Sequence, residues 1–453
     1  MCMNNNIFKY SSAFFTLLLF CSFLQAQVVS SPYSRYGIGD IGNKGFGQNL
    51  AMGGTSIAIQ NDTSAMFFIN SNNPASFSNF RLTTIEIGAN VSLTQLQSTS
   101  TKQSVNNASL NYISMAIPLK KWWGASVGLM PYSSVGYKVA DQQNISGVGD
   151  VKFVYEGSGG INQVYFGNGI KPFYGLKKAK NLKHLSIGAN ASYLFGSTDN
   201  VKRSVFDGTY FFNTRSGTTT RVADLYLDYG MQYAYNIDSI NGRELKDKVK
   251  LFFGATFANE TPIKATIDSL TYNYFLSSQN LEFGKDTVQN VQNVKGEIIF
   301  PRSIGFGFGI KKGDKLLVTA DYRMQNWSSY KAFDKSQKLK NGSSLSVGIQ
   351  YTPNAKSNGK GAYLKRVNYR GGFRYVQTPL ELKNTALNEY SVTMGFGLPV
   401  GRSVVLQNFS MLNIGLELGQ RGTSTNGLIK EQFIKCNIGV TINDKWFRKN
   451  QFD

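Results

Sequence analysis

Residues 185–196 read LSIGANASYLFG, and every second side chain from Leu185 onward is apolar. Leu185, Ile187, Ala189, Ala191, Tyr193 and Phe195 fall on one face, and Ser186, Gly188, Asn190 and Ser192 on the other. Successive side chains of a β-strand point to opposite faces, so such a strand meets apolar material on one side only. The same period returns along the chain. It is seen at Ile85/Ile87/Ala89/Val91/Leu93, Trp123/Ala125/Val127/Leu129, Leu225/Leu227/Tyr229/Met231/Tyr233 and Leu251/Phe253/Ala255/Phe257. It continues at Ile304/Phe306/Phe308/Ile310, Val318/Ala320/Tyr322/Met324, Leu345/Val347/Ile349/Tyr351 and Val367/Tyr369 with Phe373/Tyr375. The last are Val392/Met394/Phe396/Leu398, Leu412/Ile414/Leu416/Leu418 and Ile434/Cys436/Ile438/Val440/Ile442. With two weaker segments, near Ser109 to Leu119 and near Ile161 to Phe173, the reading is fourteen strands.

Alternation alone does not say which face points inward. The polar face carries Glu86, Asp224, Asp228, Asp321, Arg323, Arg370, Arg374, Glu417 and Lys435 among many Gly, Ser and Asn. In a soluble sandwich that face would meet bulk water and the apolar faces would form the core. Against this, many segments reach the roughly 9–11 residues a tilted strand needs to cross a bilayer. Fourteen strands close into a cylinder too wide for side chains alone to fill, and closure removes the sheet edges that lipid does not tolerate. The expected fold class is all-β: a 14-stranded antiparallel transmembrane β-barrel.

The first 26 of the 453 residues read as a signal peptide, with Lys9, an apolar core from Ala13 to Leu24, and Leu24-Gln25-Ala26 before the cleavage point. Phe20 is too bulky to precede a lipidated Cys21. Cys436 is then the only cysteine left, so no internal disulfide is expected, and a lone thiol among alternating apolar neighbours reads as a small packed residue. The single His184 sits in the basic turn KKAKNLKHL. One His and one Cys leave little for a metal site, and no metal or other cofactor is expected. No run of 18 apolar residues follows the leader, so helical spans are not expected. The formal charge of +21 invites a nucleic-acid reading, but export argues against it and the Lys and Arg are spread over many turns.

If Leu82 begins at the periplasmic side, the short turns fall at 119–122, 174–183, 238–248, 311–315, 353–363 and 399–408. The outer loops then fall at 97–108, 138–160, 198–220, 261–295, 326–342, 379–388 and 421–430. Transmembrane barrels have this asymmetry of short inner turns and long outer loops. Much of the basic excess lands on the short turns. Aromatic residues near strand ends, namely Trp122-Trp123, Tyr132, Tyr137, Trp327, Tyr330 and Trp446-Phe447, are expected at the lipid–water interface.

Residues 48–80, QNLAMGGTSIAIQNDTSAMFFINSNNPASFSNF, belong to neither leader nor strand series. The piece has tight turns and is too short to be a domain, so it needs something to pack against. Its Met52-Gly53-Gly54 turn, followed about twenty residues later by Asn73-Pro74-Ala75, carries a resemblance with the terminal strand CNIGVTINDKWF. The chain resembles the FadL-type long-chain fatty-acid transporter family of outer-membrane proteins, most of all its Bacteroidetes branch. The resemblance implies residues 27–80 folded as a hatch inside a barrel of residues 81–447, with 448–453 a short polar tail. It implies a lumenal site for hydrophobic molecules and sideways exit through a gap near a distorted third strand. Met52, Gly53 and Gly54 would form the inner turn of the hatch, and Asn73, Pro74 and Ala75 its end. Pro74 fixes φ and Asn73 can bond its own backbone. Pro131 either kinks the wall or marks a strand nearing its loop.

The function this implies is an outer-membrane channel of a Gram-negative bacterium, passing fatty-acid-like solutes by passive diffusion gated by the hatch. The alternative is a barrel that transports nothing and docks the proteins of a secretion or gliding complex. The expected partners are therefore outer-membrane lipid, a hydrophobic small molecule and, on the alternative, such proteins. An enzyme is not expected: Asp224 and Asp228 lie about 13 Å apart along one strand by rise per residue. No G-x-S-x-G, H-E-x-x-H or phosphate-loop pattern is present.

Overall fold

The computed structural model describes residues 31–42, 45–61, 67–176, 182–207, 211–240, 243–277, 279, 281–357, 361–403 and 408–445. The signal peptide and the polar tail, with Trp446-Phe447, lie outside them. In chain order the strands are β1 (Asp40–Ile41), β2 (Thr83–Gln97), β3 (Lys102–Lys120), β4 (Trp123–Ile145), β5 (Gly149–Ile170), β6 (Leu185–Phe206) and β7 (Asn213–Ile240). They continue as β8 (Arg243–Ala258), β9 (Thr261–Leu276), β10 (Glu282–Phe300), β11 (Ser303–Lys312), β12 (Leu316–Gln325), β13 (Lys331–Ala332) and β14 (Lys335–Ser336). The last five are β15 (Gly342–Tyr351), β16 (Asn368–Leu382), β17 (Thr385–Ser403), β18 (Asn408–Arg421) and β19 (Lys430–Asp444).

Fourteen of these form a closed antiparallel barrel, β2 to β8, β11, β12 and β15 to β19. The ring closes where β19 pairs with β2, from Asp444 opposite Thr83 to Lys430 opposite Gln97. The faces settle the question that alternation left open. On β6, Tyr193 is 47% exposed while Ser186, Asn190 and Ser192 are buried. The same holds round the ring, with Val91, Phe166, Leu225, Phe306, Val347, Phe396 and Ile438 exposed and Glu86, Asp321, Arg370 and Glu417 buried. The apolar faces point outward to lipid and the polar faces line the lumen, the reverse of a soluble sandwich.

The two ends of the barrel differ. At one end the strands are joined by short connections. At the other, β4 to β7 run on for up to 28 residues, and 198–220, expected as a loop, is largely strand. The segment 261–295, also expected as a loop, forms the hairpin β9–β10, which pairs with the upper half of β7 from Val222 opposite Ala265 to Asn213 opposite Tyr274. Above the bilayer both faces of a strand meet water, so the alternation that marks the lower wall is lost and the sequence reads as loop.

Four aromatics expected at the lipid interface lie inside instead. Tyr132, Trp327 and Tyr330 join Ile38, Ile161, Leu194, Tyr226 and Phe300 in an apolar cluster filling one side of the tall end, and Tyr137 is likewise buried. The loop carrying Trp327 and Tyr330 folds inward, which closeness to a strand end does not reveal. Trp122 and Trp123, partly exposed, stack on each other at the short-turn end as expected of an interfacial pair.

Candidate functional site

The N-terminal segment lies within the barrel in two parts held by different means. Residues 46–61 and 67–80 follow the inner wall at the level of the inward-facing glycines. Gly124 in β4 and Gly167 in β5 face Phe77; Gly188 in β6 faces Pro74; Gly230 in β7 faces Asn73. Gly254 in β8 and Gly307 in β11 face Ile57 and Ala58, Gly348 in β15 faces Met52, Gly372 in β16 faces Gly53, and Gly395 in β17 faces Ala51. A Cβ at Gly230 would stand 2.0 Å from Asn73 Oδ1, and one at Gly254 would stand 2.1 Å from Ile57 O. These glycines therefore serve close backbone approach, the use that a missing side chain permits.

Lumenal side chains then bond the exposed backbone of the segment. Asp321 Oδ2 accepts from the N–H groups of Ser56 at 2.6 Å and Ile57 at 2.9 Å. Glu86 Oε1 accepts from Ile69 N at 2.9 Å. Gln232 Nε2 donates to Ile57 O at 2.9 Å, Asn190 Nδ2 to Ser71 O at 3.0 Å and Asn443 Nδ2 to Phe67 O at 3.0 Å. Buried polar groups are costly unless bonded, and these bonds give partners to the backbone of the segment. Of the charged lumenal residues read from the sequence, Asp321 and Glu86 thus meet the irregular chain, while Arg374 pairs with Glu389 and Glu417 and Arg370 bonds Gln350 and Asn413 on the wall itself.

The sequence-derived hatch residues occupy this part. Gly53 (φ +68°) and Gly54 (φ +83°) turn in the left-handed region, and Gly53 N donates to Thr393 Oγ1 at 2.8 Å. Met52 is buried beside them, its carbonyl accepting from Thr55 Oγ1 at 3.0 Å. Asn73 caps the 3-10 turn Pro74–Asn79, accepting from Ala75 N, and its Nδ2 donates to Ile57 O at 2.8 Å and Met231 O at 3.1 Å. Pro74 and Ala75 are buried against the wall. The six residues therefore lie along one glycine-lined course, and none faces the apolar cluster of the tall end.

Residues 31–42, which the sequence reading did not single out, close a split in the wall. β3 and β4 pair only from Lys120 opposite Trp123 up to Ile113 opposite Leu129; among the described residues no pair joins them above that point. Pro131 follows at once, with a register shift against β5 between Pro131 and Ser133. Pro131 thus marks a distorted wall, the first of the two readings open for it. Along the freed edge of β4 runs β1, with Asp40 opposite Ser134 and Ile41 opposite Ser133. Ser31 N donates to Gly136 O at 3.0 Å and Gly42 N to Tyr132 O at 3.0 Å. Arg421 fastens this part from across the lumen, with Nη1 2.8 Å from Asp40 Oδ1 and Nε 2.8 Å from Glu431 Oε2, and it also bonds Ser31. The apolar cluster, with Ile38 in it, lies directly behind the split.

A closed fourteen-strand wall with lipid-facing apolar belts and an inner polar face seated on its own N-terminal chain defines a transmembrane barrel of the fatty-acid-transporter fold. The family model described as BamG matches residues 7–453, and the chain belongs to the BamG family. No curated protein sequence matches it. Among solved structures it is similar to the CymD monoaromatic hydrocarbon channel (12% identity, 90% of this chain and 98% of that one, TM-score 0.50). It is also similar to the Pseudomonas putida toluene transporter TodX (14% identity, 90% and 100%, TM-score 0.50). A TodX deltaS2S3 mutant, titled a monoaromatic hydrocarbon channel, gives 14% identity, 89% and 99%, with a TM-score of 0.52.

Proposed function

We propose that this protein is an outer-membrane channel through which small apolar or amphipathic molecules pass sideways, between the apolar cluster of the tall end and the lipid outside the β3–β4 split. The short-turn end is periplasmic and the tall end faces outward, as in other bacterial barrels. The observation that supports the channel best is the split itself. A lipid-facing wall tolerates unpaired backbone only where something covers it, and here the cover is a short piece of chain of which two residues alone pair with β4 as strand. Residues 46–61 and 67–80 are then a fixed plug, and residues 31–42 the moving gate. The solute gains apolar burial at about 25 cal/mol per Å² in the cluster and leaves when the gate swings aside.

A disulfide between Ile41→Cys and Ser133→Cys, in a Cys436→Ser background, tests this. These positions are Cα partners in an antiparallel pair, within reach of a disulfide. Uptake of toluene or oleate should fall on oxidation and return on reduction. Equal uptake in both states would sink the gate.

A second reading, a docking barrel that transports nothing, draws support from a different place. At the top of the tall wall Phe275 and Phe283 stack with ring centroids 5.5 Å apart and are 49% and 48% exposed, beside exposed Phe211 and Phe212. These rings stand about twelve residues above the lipid-facing Leu225, roughly 30 Å at the usual rise and tilt, beyond the reach of lipid. Exposed apolar patches of this kind mark interaction sites. Replacing Phe275 and Phe283 by Ser should strip co-purifying proteins from the barrel under this reading and leave uptake alone under the first.

A further inference from the structure

The basic excess is not spread evenly over the described residues. At the tall end Lys138, Glu156, Arg203, Glu282 and Arg215 form one continuous chain of ion pairs. The short-turn end holds a contiguous arc of cations. Arg81 Nη1 donates to Lys121 O at 2.9 Å, which fixes its guanidinium on the β3–β4 turn. Lys171 N donates to Trp122 O at 2.8 Å, which brings Lys171 to the same turn. Burial and the neighbouring Arg81 pull Lys171 down to about 8. Burial, then Lys183, Lys171 and Lys250, pull His184 below its ordinary value, so the arc runs on through the β5–β6 turn. Among the described residues no carboxylate pairs with Arg81, Lys120, Lys121, Lys171 or Lys183; Asp444, at the end of β19, accepts from the Lys445 amide.

We propose that this arc, centred on Arg81, Lys120, Lys121 and Lys171, binds the headgroup phosphate of an anionic phospholipid in the inner leaflet. It rests on the membrane orientation proposed above and not on the channel reading. Height favours lipid over an acidic protein. Leu119, 46% exposed on the lipid face, immediately precedes Lys120, and Lys120 Nζ lies 5.4 Å from the centre of the Trp122 ring. Long cationic side chains and Trp together occupy the level of the headgroups. The β5–β6 turn adds exposed Tyr174, Leu176 and Leu182 to its cations, which suits acyl chains below phosphates and would be wasted on a water-borne acidic partner.

The test uses the full mature barrel in neutral detergent, titrated with phosphatidylglycerol, phosphatidylcholine, inorganic phosphate and polyglutamate, with native mass spectrometry and melting as readouts. Phosphatidylglycerol should be retained and should raise the melting temperature, while phosphatidylcholine and inorganic phosphate should do neither. The triple variant Lys120→Gln, Lys121→Gln, Lys171→Gln should bind phosphatidylglycerol less tightly by about fivefold per cation removed. A charge-matched control at the tall end, Lys102→Gln, Lys152→Gln, Lys285→Gln, should bind as the parent does. Equal retention of the two lipids, equal loss in both triple variants, or binding of polyglutamate in preference to phosphatidylglycerol would each overturn the proposal. A triple variant that fails to fold is replaced by Lys120→Gln alone, for which a fivefold loss is still expected.

Discussion

The two parts of the N-terminal segment enclose the same lumen yet are held in contrasting ways. Residues 46–61 and 67–80 press against the wall at glycines on most of the strands, backbone to backbone at Gly124, Gly188, Gly254, Gly348 and Gly372. Residues 31–42 meet it through a two-residue strand, side-chain hydrogen bonds, the Arg421 ion pairs and the packing of Tyr33 and Ile38 in apolar clusters. A contact made by bare backbone cannot slide, because the next residue on the strand carries a side chain. A contact made by an arginine can open and close again. The contrast is between a part seated on glycines and a part fastened by side chains.

Gly254→Val attacks the first part and should have the largest effect. Its Cβ would meet Ile57 O, and overpacking against backbone costs about 3 kcal/mol or more. Loss of the heat-resistant compact form on electrophoresis checks it, and a variant that melts like the parent would break the comparison. Arg421→Met attacks the second part. It strands Glu431, whose side chain is only 3% exposed, at a cost of about 3 kcal/mol that falls on the local closing of residues 31–42. Hydrogen exchange should rise sharply across 31–42 and hardly at all across 46–80; an equal rise in both would show one body where two are described. Asn73→Ala removes the cap and the bonds to Ile57 and Met231, so about 1–2 kcal/mol of barrel stability should be lost in urea unfolding. Phe275→Ser at the top of the tall wall should change stability by less than about 0.5 kcal/mol, since the ring packs mainly on another exposed ring.

The lower wall was legible because lipid outside and polar chain inside impose a strict two-residue period, as in Leu185 to Phe195. Pro131 showed in the sequence as a break in that period, which left a kinked wall and a strand nearing its loop equally open until the register shift beside it was seen. The tall wall was not, because water on both faces erases the signal between 198 and 220 and again between 261 and 295. Nor was the glycine course. An inward glycine such as Gly230 looks like any small polar-face residue, and only the closeness of Asn73, which leaves no room for a Cβ, distinguishes it. Trp327 and Tyr330 misled because a ring near a strand end suits an interface and a lumen equally well. Residues 31–42 gave no sign at all, since Ser31 to Gly42 has neither period nor motif.

The glycine course also bears on biogenesis. The seal on the cylinder is the pairing of β19 with β2, and β2 begins three residues after Phe80, where the inner chain leaves the wall. A polypeptide exported from its amino end thus delivers its stopper before any hoop exists to receive it. The final rung is laid beside the stopper's own exit, so the staves are best gathered around a cork already in place.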